Sequence, residues 1–108
     1  MSDAAAPITK DSMIGKYVVV RCRDAGVHAG HLVEQSGREC TLNNSRRLWR
    51  WFAKDGISLS EVAANGIVPE KSRIAAPVPI VLTEICEIIL CSQEGEQTIR
   101  EAATYVPV

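Results

Sequence analysis

The chain has 108 residues, 46% hydrophobic and 23% charged, with a formal net charge of −1. This length gives one domain, and this composition excludes a disordered chain. Near-zero net charge argues against a protein that coats duplex nucleic acid, while leaving room for a local basic pocket. So short a chain buries only about 60–70% of its unfolded surface, so association with further copies is an expected source of stability.

Met1–Lys10 lacks the basic start and apolar core of a secretory signal, and no apolar run reaches the roughly 18–20 residues that cross a bilayer. The expectation is a cytoplasmic protein with reduced thiols. Among Cys22, Cys40, Cys86 and Cys91 no C-x2-C pair occurs, and Cys86 and Cys91 have four residues between them. His28 and His31 would face opposite sides of a strand, so no metal site is expected. Most of the cysteines read as small buried apolar residues.

Residues 1–13 are small and polar with a proline and read as a flexible leader; residues 14–108 read as the domain. Lys16 to Arg23 is a predicted strand on its three valines and Tyr17. Alternation puts Arg21 and Arg23 with Tyr17 and Val19, opposite Val18, Val20 and Cys22. Asp24-Ala25-Gly26 is a turn in which glycine supplies positive φ or close backbone approach. Val27 to Gln35 is a second strand and Ser36-Gly37 a hairpin loop. Arg38 to Leu42 is a third strand, Asn43-Asn44-Ser45 a bend, and Arg46 to Phe52 a fourth strand.

Ser58 and Glu61 form the capping-box pair of a short helix that Gly66 closes. Val68 to Pro79 is a connection whose prolines exclude a central strand. Ile80 to Leu90, the most apolar run, reads as one strand interrupted by Glu84 and Glu87. Ser92 caps a final helix, Gln93 to about Thr104, whose first turn Gly95 weakens. Tyr105 to Val108 is an apolar tail expected to pack on its own or a neighbouring subunit. The sum is an α+β domain: an antiparallel sheet of four to six strands, a short middle helix and a C-terminal helix.

The stretch Asn43-Asn44-Ser45-Arg46-Arg47-Leu48-Trp49-Arg50-Trp51-Phe52 holds both tryptophans and the sole phenylalanine. Alternation places Arg47, Trp49 and Trp51 on one face and Arg46, Leu48, Arg50 and Phe52 on the other. Arginine pairs with phosphate oxygens through its planar fork, and an indole face stacks on a base or a guanidinium. This is a candidate site for a nucleotide-like ligand, with Arg21 and Arg23 as further phosphate contacts. No catalytic constellation, Walker loop or Rossmann glycine pattern is present. A cysteine with His28 or His31 as its base would have to meet in space, and His31 with Glu34 could form an acid/base pair, but solvated strand residues explain that pair better.

Four strings occur in order: Arg21-x-Arg23-x-Ala25-Gly26-Val27-x-Ala29-Gly30, Asn44-Ser45-Arg46-Arg47-Leu48-Trp49-x-Trp51, Leu59-Ser60 and Leu82-Thr83-Glu84. Together they resemble the phage Thoeris anti-defence proteins of the first-described type, over roughly Gly15 to Ser92. The resemblance implies a non-enzymatic sponge without a cofactor. Such proteins bind cyclic ADP-ribose-type immune signals, some also cyclic trinucleotides, in pockets between the protomers of a homodimer or hexamer. It puts Arg21, Arg23, Ala25, Gly26, Val27, Asn44, Arg46, Arg47, Trp49 and Trp51 on the matched motifs, lining a closed cavity in the infected host's cytoplasm. The competing expectation is a small β-domain that takes single-stranded nucleic acid on an open sheet face.

Overall fold

Val18, Val19 and Val20 are all fully buried. Successive strand residues point to opposite faces, so three in a row are buried only where both faces of the sheet are covered. In a computed structural model describing residues 8–107, they lie in β1 (Tyr17–Cys22). The other strands are β2 (Val27–Ser36), β3 (Glu39–Arg50), β4 (Arg73–Ile74), β5 (Val78–Leu82) and β6 (Ile85–Leu90). The helices are α1 (Leu59–Asn65) and α2 (Gln93–Glu101). The strands form one antiparallel six-stranded sheet in the order β4-β3-β2-β1-β6, with β5 also on β3. This is the α+β architecture that the sequence predicts.

β5 lies on the outer edge of β3 and β6 on the outer edge of β1, yet only Thr83 and Glu84 join them. The sheet must therefore curl until its two edges approach. Its concave face encloses Met13, Val18, Val20, Cys22, Leu32, Cys40, Leu42, Leu82 and Ile85. On its convex face Tyr17, Val19, Ala29, Leu48 and Ile74 pack against Leu59, Val62, Ala63, Ile67 and Ile99 of the helical layer. The single strand expected over 80–90 is thus two strands, broken where Glu84 takes a φ of 53°. The β-branched residues on both sides of Glu84 carry the same strand signal, so periodicity does not mark the break. Pro79 falls inside β5, and an edge strand accepts it.

The expected third strand, bend and fourth strand are likewise corrected: they form one strand, β3. The bend is a β-bulge, with Asn44 at a φ of 53°. Ala29 pairs with Arg46 and His31 with Asn43, so three steps along β3 answer two along β2. β5 records the same extra residue between Leu42 and Ser45. The bulged backbone presses on β2 at Gly30, where a Cβ would lie 2.8 Å from the Asn43 carbonyl oxygen and 2.9 Å from the Ser45 Cα. Only glycine fits there. The extra residue also exchanges faces: Cys40 and Leu42 point into the concave core, whereas Leu48 joins the convex core under the helices.

The helix boundaries follow their caps. Ser58 and Glu61 form the capping box of α1, and Gly66, at a φ of 96°, ends it. The Ser92 hydroxyl accepts from the Gly95 amide at 2.9 Å, and α2 stops at Glu101 rather than near Thr104. Gly95 does more than weaken a turn. A Cβ there would meet the Ala63 carbonyl oxygen at 2.1 Å, so glycine permits the close crossing of α1 and α2. The hairpin loop after β2 is Gly37-Arg38, one residue later than expected, because Ser36 pairs with Glu39. Residues 1–7 of the expected leader lie outside the described residues. Its end is not a loose segment: Asp11–Met13 form a 3-10 turn and Met13 is buried in the concave core. No helix among the described residues is long and apolar enough to cross a membrane.

Candidate functional site

Beyond its bulge, β3 runs beside β4, and the chain after α2 returns along β4. The Tyr105 amide donates to the Ile74 carbonyl at 2.9 Å. These three segments frame two adjoining cavities. One, of about 720 Å³, is lined by Arg50, Phe52, Pro69, Glu70, Lys71, Ser72, Arg73 and residues 103–106 of the tail. The other, of about 340 Å³, is lined by Arg47, Trp49, Arg73, Ile74, Ala75, Tyr105 and Pro107. Arg73 and Tyr105 border both, so the two form one groove.

Rings and cations alternate along it. The Arg73 guanidinium lies 4.7 Å from the centre of the Tyr105 ring and 5.3 Å from that of Trp49. Arg50 lies 5.5 Å and the Lys71 ammonium 6.0 Å from the Phe52 ring. Trp49 is 67% exposed, and Phe52 and Tyr105 are also exposed, so none of these rings serves mainly as core. Among the described residues, none of Arg47, Arg50, Lys71 and Arg73 makes an ion pair. Glu70 is the one carboxylate on the lining. Unpaired guanidiniums stacked on rings keep their N–H edges free for anionic oxygens, and the aromatic faces suit planar groups.

Of the residues expected to bind ligand, Arg47 and Trp49 line this groove. Arg46 does not. It is 4% exposed, and its guanidinium donates to the carbonyls of Ala75, Ile99 and Ala102 and to the Thr104 hydroxyl. Its donors are filled by the protein. Trp51 does not line it either: β3 ends at Arg50, alternation lapses, and the indole turns back, half-buried, against the convex core.

Arg21 pairs with Glu87 at 2.5 Å and Arg23 with Glu84 at 3.5 Å, both on the β6 side of the sheet. Ala25 and Gly26 make a tight turn in which the Cys22 amide donates to the Gly26 carbonyl at 2.9 Å. Gly26 has a φ of 85° and nothing near its would-be Cβ, so positive φ is what requires it. Val27 packs on the convex core, and Asn44 forms the bulge. None of these six lines the groove. The groove residues that sequence reasoning left out are Arg50, Phe52, Lys71, Arg73 and Tyr105. Arg50 and Phe52 lay in the stretch already singled out; Lys71, Arg73 and Tyr105 are distant in sequence and meet only in the fold. In the single chain the lining is an open groove rather than the expected closed cavity.

Elsewhere the polar groups are structural. His31 faces Glu96 at 3.8 Å and sits edge-on to Tyr17, with ring centres 5.1 Å apart, rather than pairing with Glu34. The Tyr17 hydroxyl is buried without a partner; burial, with Cys91 and Glu96 nearby, pushes its pKa well up. Burial pushes the Cys40 thiol up to about 11 and the Cys91 thiol up to about 12. Both therefore stay protonated and poorly nucleophilic at neutral pH. His28, its Nε2 2.8 Å from the Ala25 carbonyl, is held below the usual histidine range, mainly by burial. Among the described residues no three of His, Cys, Asp and Glu gather closely enough to hold a metal ion.

Residues 15–99 match the family described as a domain of unknown function, DUF6948. The match begins just before β1 and ends within α2, so it takes in the whole sheet and most of the groove. Comparison with curated proteins and with solved structures finds no match.

Proposed function

The chain belongs to the DUF6948 family, and we propose that it binds a small phosphorylated ligand carrying a flat base and holds it without chemistry. One observation carries this reading: four cations without acidic partners among the described residues alternate with three exposed rings along one groove. The larger cavity, bordered by Arg50, Lys71 and Arg73, receives phosphates. The smaller, bordered by Trp49 and Tyr105, receives the base. The Cys40 and Cys91 thiols, kept protonated by burial, fit a ligand that is held intact.

The resemblance of the arginine and tryptophan strings supplies the ligand class: cyclic ADP-ribose-type immune signals, sequestered to block bacterial anti-phage defence, with cyclic trinucleotides as a second class. An open groove releases ligand quickly. Retention therefore requires a cover, and a second copy of the chain, in a homodimer or hexamer, would exclude water and strengthen the charged hydrogen bonds. Sequestration succeeds by mass action when protein exceeds signal and Kd lies below the signal concentration.

The openness of the groove, with Trp49 67% exposed, favours a second reading: a single-stranded nucleic acid laid along β3 and β4. Titration calorimetry with cyclic ADP-ribose isomers, cyclic trinucleotides and oligonucleotides of increasing length separates the two. Saturable binding of a cyclic compound, recovered unchanged after heat denaturation, is the expected outcome. Affinity that grows with oligonucleotide length transfers the groove to the second reading, and absence of heat with every compound removes both.

A further inference from the structure

We infer that Arg46 is the positioning residue of the groove: it clasps the end of α2 and the tail that follows, and so sets the wall carrying Tyr105. The inference rests on the groove being the ligand site. Arg46 stands on β3 immediately after the bulge, with its side chain buried and no carboxylate partner among the described residues. A buried cation needs compensation, and here it comes from the negative end of a helix. Nη1 donates to the Ile99 carbonyl at 3.0 Å and the Ala102 carbonyl at 2.5 Å. Nε donates to the Ala75 carbonyl, just past β4, at 2.8 Å, and Nη2 to the Thr104 hydroxyl at 3.1 Å.

One planar group thus ties β3, the exit of β4, the end of α2 and the tail. The tail has little else to hold it. Residues 103–107 are exposed, and their anchorage to the sheet is the Tyr105 amide bond to Ile74 and the bridge between Thr104 and Ile74. Tyr105 in turn stacks on Arg73 at 4.7 Å, so a displaced tail removes one ring from the groove and frees the guanidinium it orients. The guanidinium of Arg46 is filled by carbonyls and does not reach ligand. Its influence passes through Tyr105. Lysine cannot substitute, because a single ammonium does not span acceptors spread around a planar fork.

The test uses the full chain with Arg46→Lys, and Thr104→Val as a milder change at an exposed position. Hydrogen exchange is followed without ligand, and cyclic ADP-ribose is titrated at several salt concentrations. In Arg46→Lys, exchange of the Ala102 and Tyr105 amides, bonded to the Ile99 and Ile74 carbonyls, rises at least tenfold while β1 and β2 keep their protection; Thr104→Val gives a smaller rise at the same amides. Affinity falls about tenfold in Arg46→Lys with an unchanged salt dependence, whereas Arg73→Gln flattens that dependence, as loss of a phosphate contact does. A flattened salt dependence in Arg46→Lys, or a tail that stays protected in both variants, overturns the inference. A wild-type chain that binds no nucleotide would overturn the reading of the groove instead, and the exchange result would still decide whether Arg46 holds the wall.

Discussion

The two sides of the sheet use arginine in opposite ways. Along β1 and β6, Arg21 and Arg23 each face a glutamate, so the charges cancel in place. Along β3 and β4, Arg50, Lys71 and Arg73 meet rings instead of carboxylates, and Arg47 lines the groove beside Trp49. The two sets look alike as letters. The difference lies in what the fold sets across from them, and a cation left without an acid beside an exposed indole is the one with capacity for a ligand. Arg46 and Arg47 repeat the lesson within two residues: one is buried against helix carbonyls, the other lines the groove.

That contrast can be broken or sharpened by measurement. The largest effect is expected at Gly30, which admits the bulge that aims β3 at the groove. Gly30→Val forces a Cβ onto the backbone of Asn43 and Ser45 and should cost about 3 kcal/mol in urea unfolding. A fully stable variant would show that the bulge relaxes freely. Next, Trp49→Ala should weaken nucleotide binding by about ten- to a hundredfold, the usual worth of a stacked base, while the melting midpoint holds because the ring is 67% exposed. Loss of stability without loss of affinity would make Trp49 a core residue after all.

Arg21→Gln with Arg23→Gln should leave the titration unchanged, since exposed ion pairs contribute little and neither residue lines the groove. Weakened binding there would move the site to the β6 side. The smallest effect concerns His28, which pairs across the sheet with Arg47. Its folded pKa lies below 6.5, chiefly through burial and in lesser part through Arg47. A depressed folded value means that its contribution to stability is complete above pH 6.5 and is lost as pH falls through the lower value. Nuclear magnetic resonance titration should place the imidazole below 6.5 and find it moved upward in Arg47→Gln; an unmoved value would separate the two side chains.

Local chemistry was legible wherever one segment settles its own conformation. The capping box of Ser58 and Glu61, the cap at Ser92, the strand made by Tyr17 to Cys22 and the α+β class all follow from neighbours a few residues apart. The cationic, aromatic character of residues 46–52 was equally plain, and Arg47 and Trp49 were found on it. Alternation then misled at Trp51, because it assumes that the strand continues: β3 ends at Arg50 and releases Trp51 from the pattern. The bend expected at residues 43–45 is instead a bulge within one strand, with Asn44 at a φ of 53°.

Sequence by itself determined which chemistry this chain carries: a short α+β domain with arginines and indoles concentrated in one stretch and no activated nucleophile in view. Tertiary structure alone decided which of those groups act together. Arg73 and Tyr105 reach Trp49 only because β4 and the tail return to the outer edge of β3. Arg46 is withdrawn only because α2 ends over it. The physical reason is that charge pairing and ring exposure are properties of neighbours in space, and a curled sheet brings together residues that no local pattern relates.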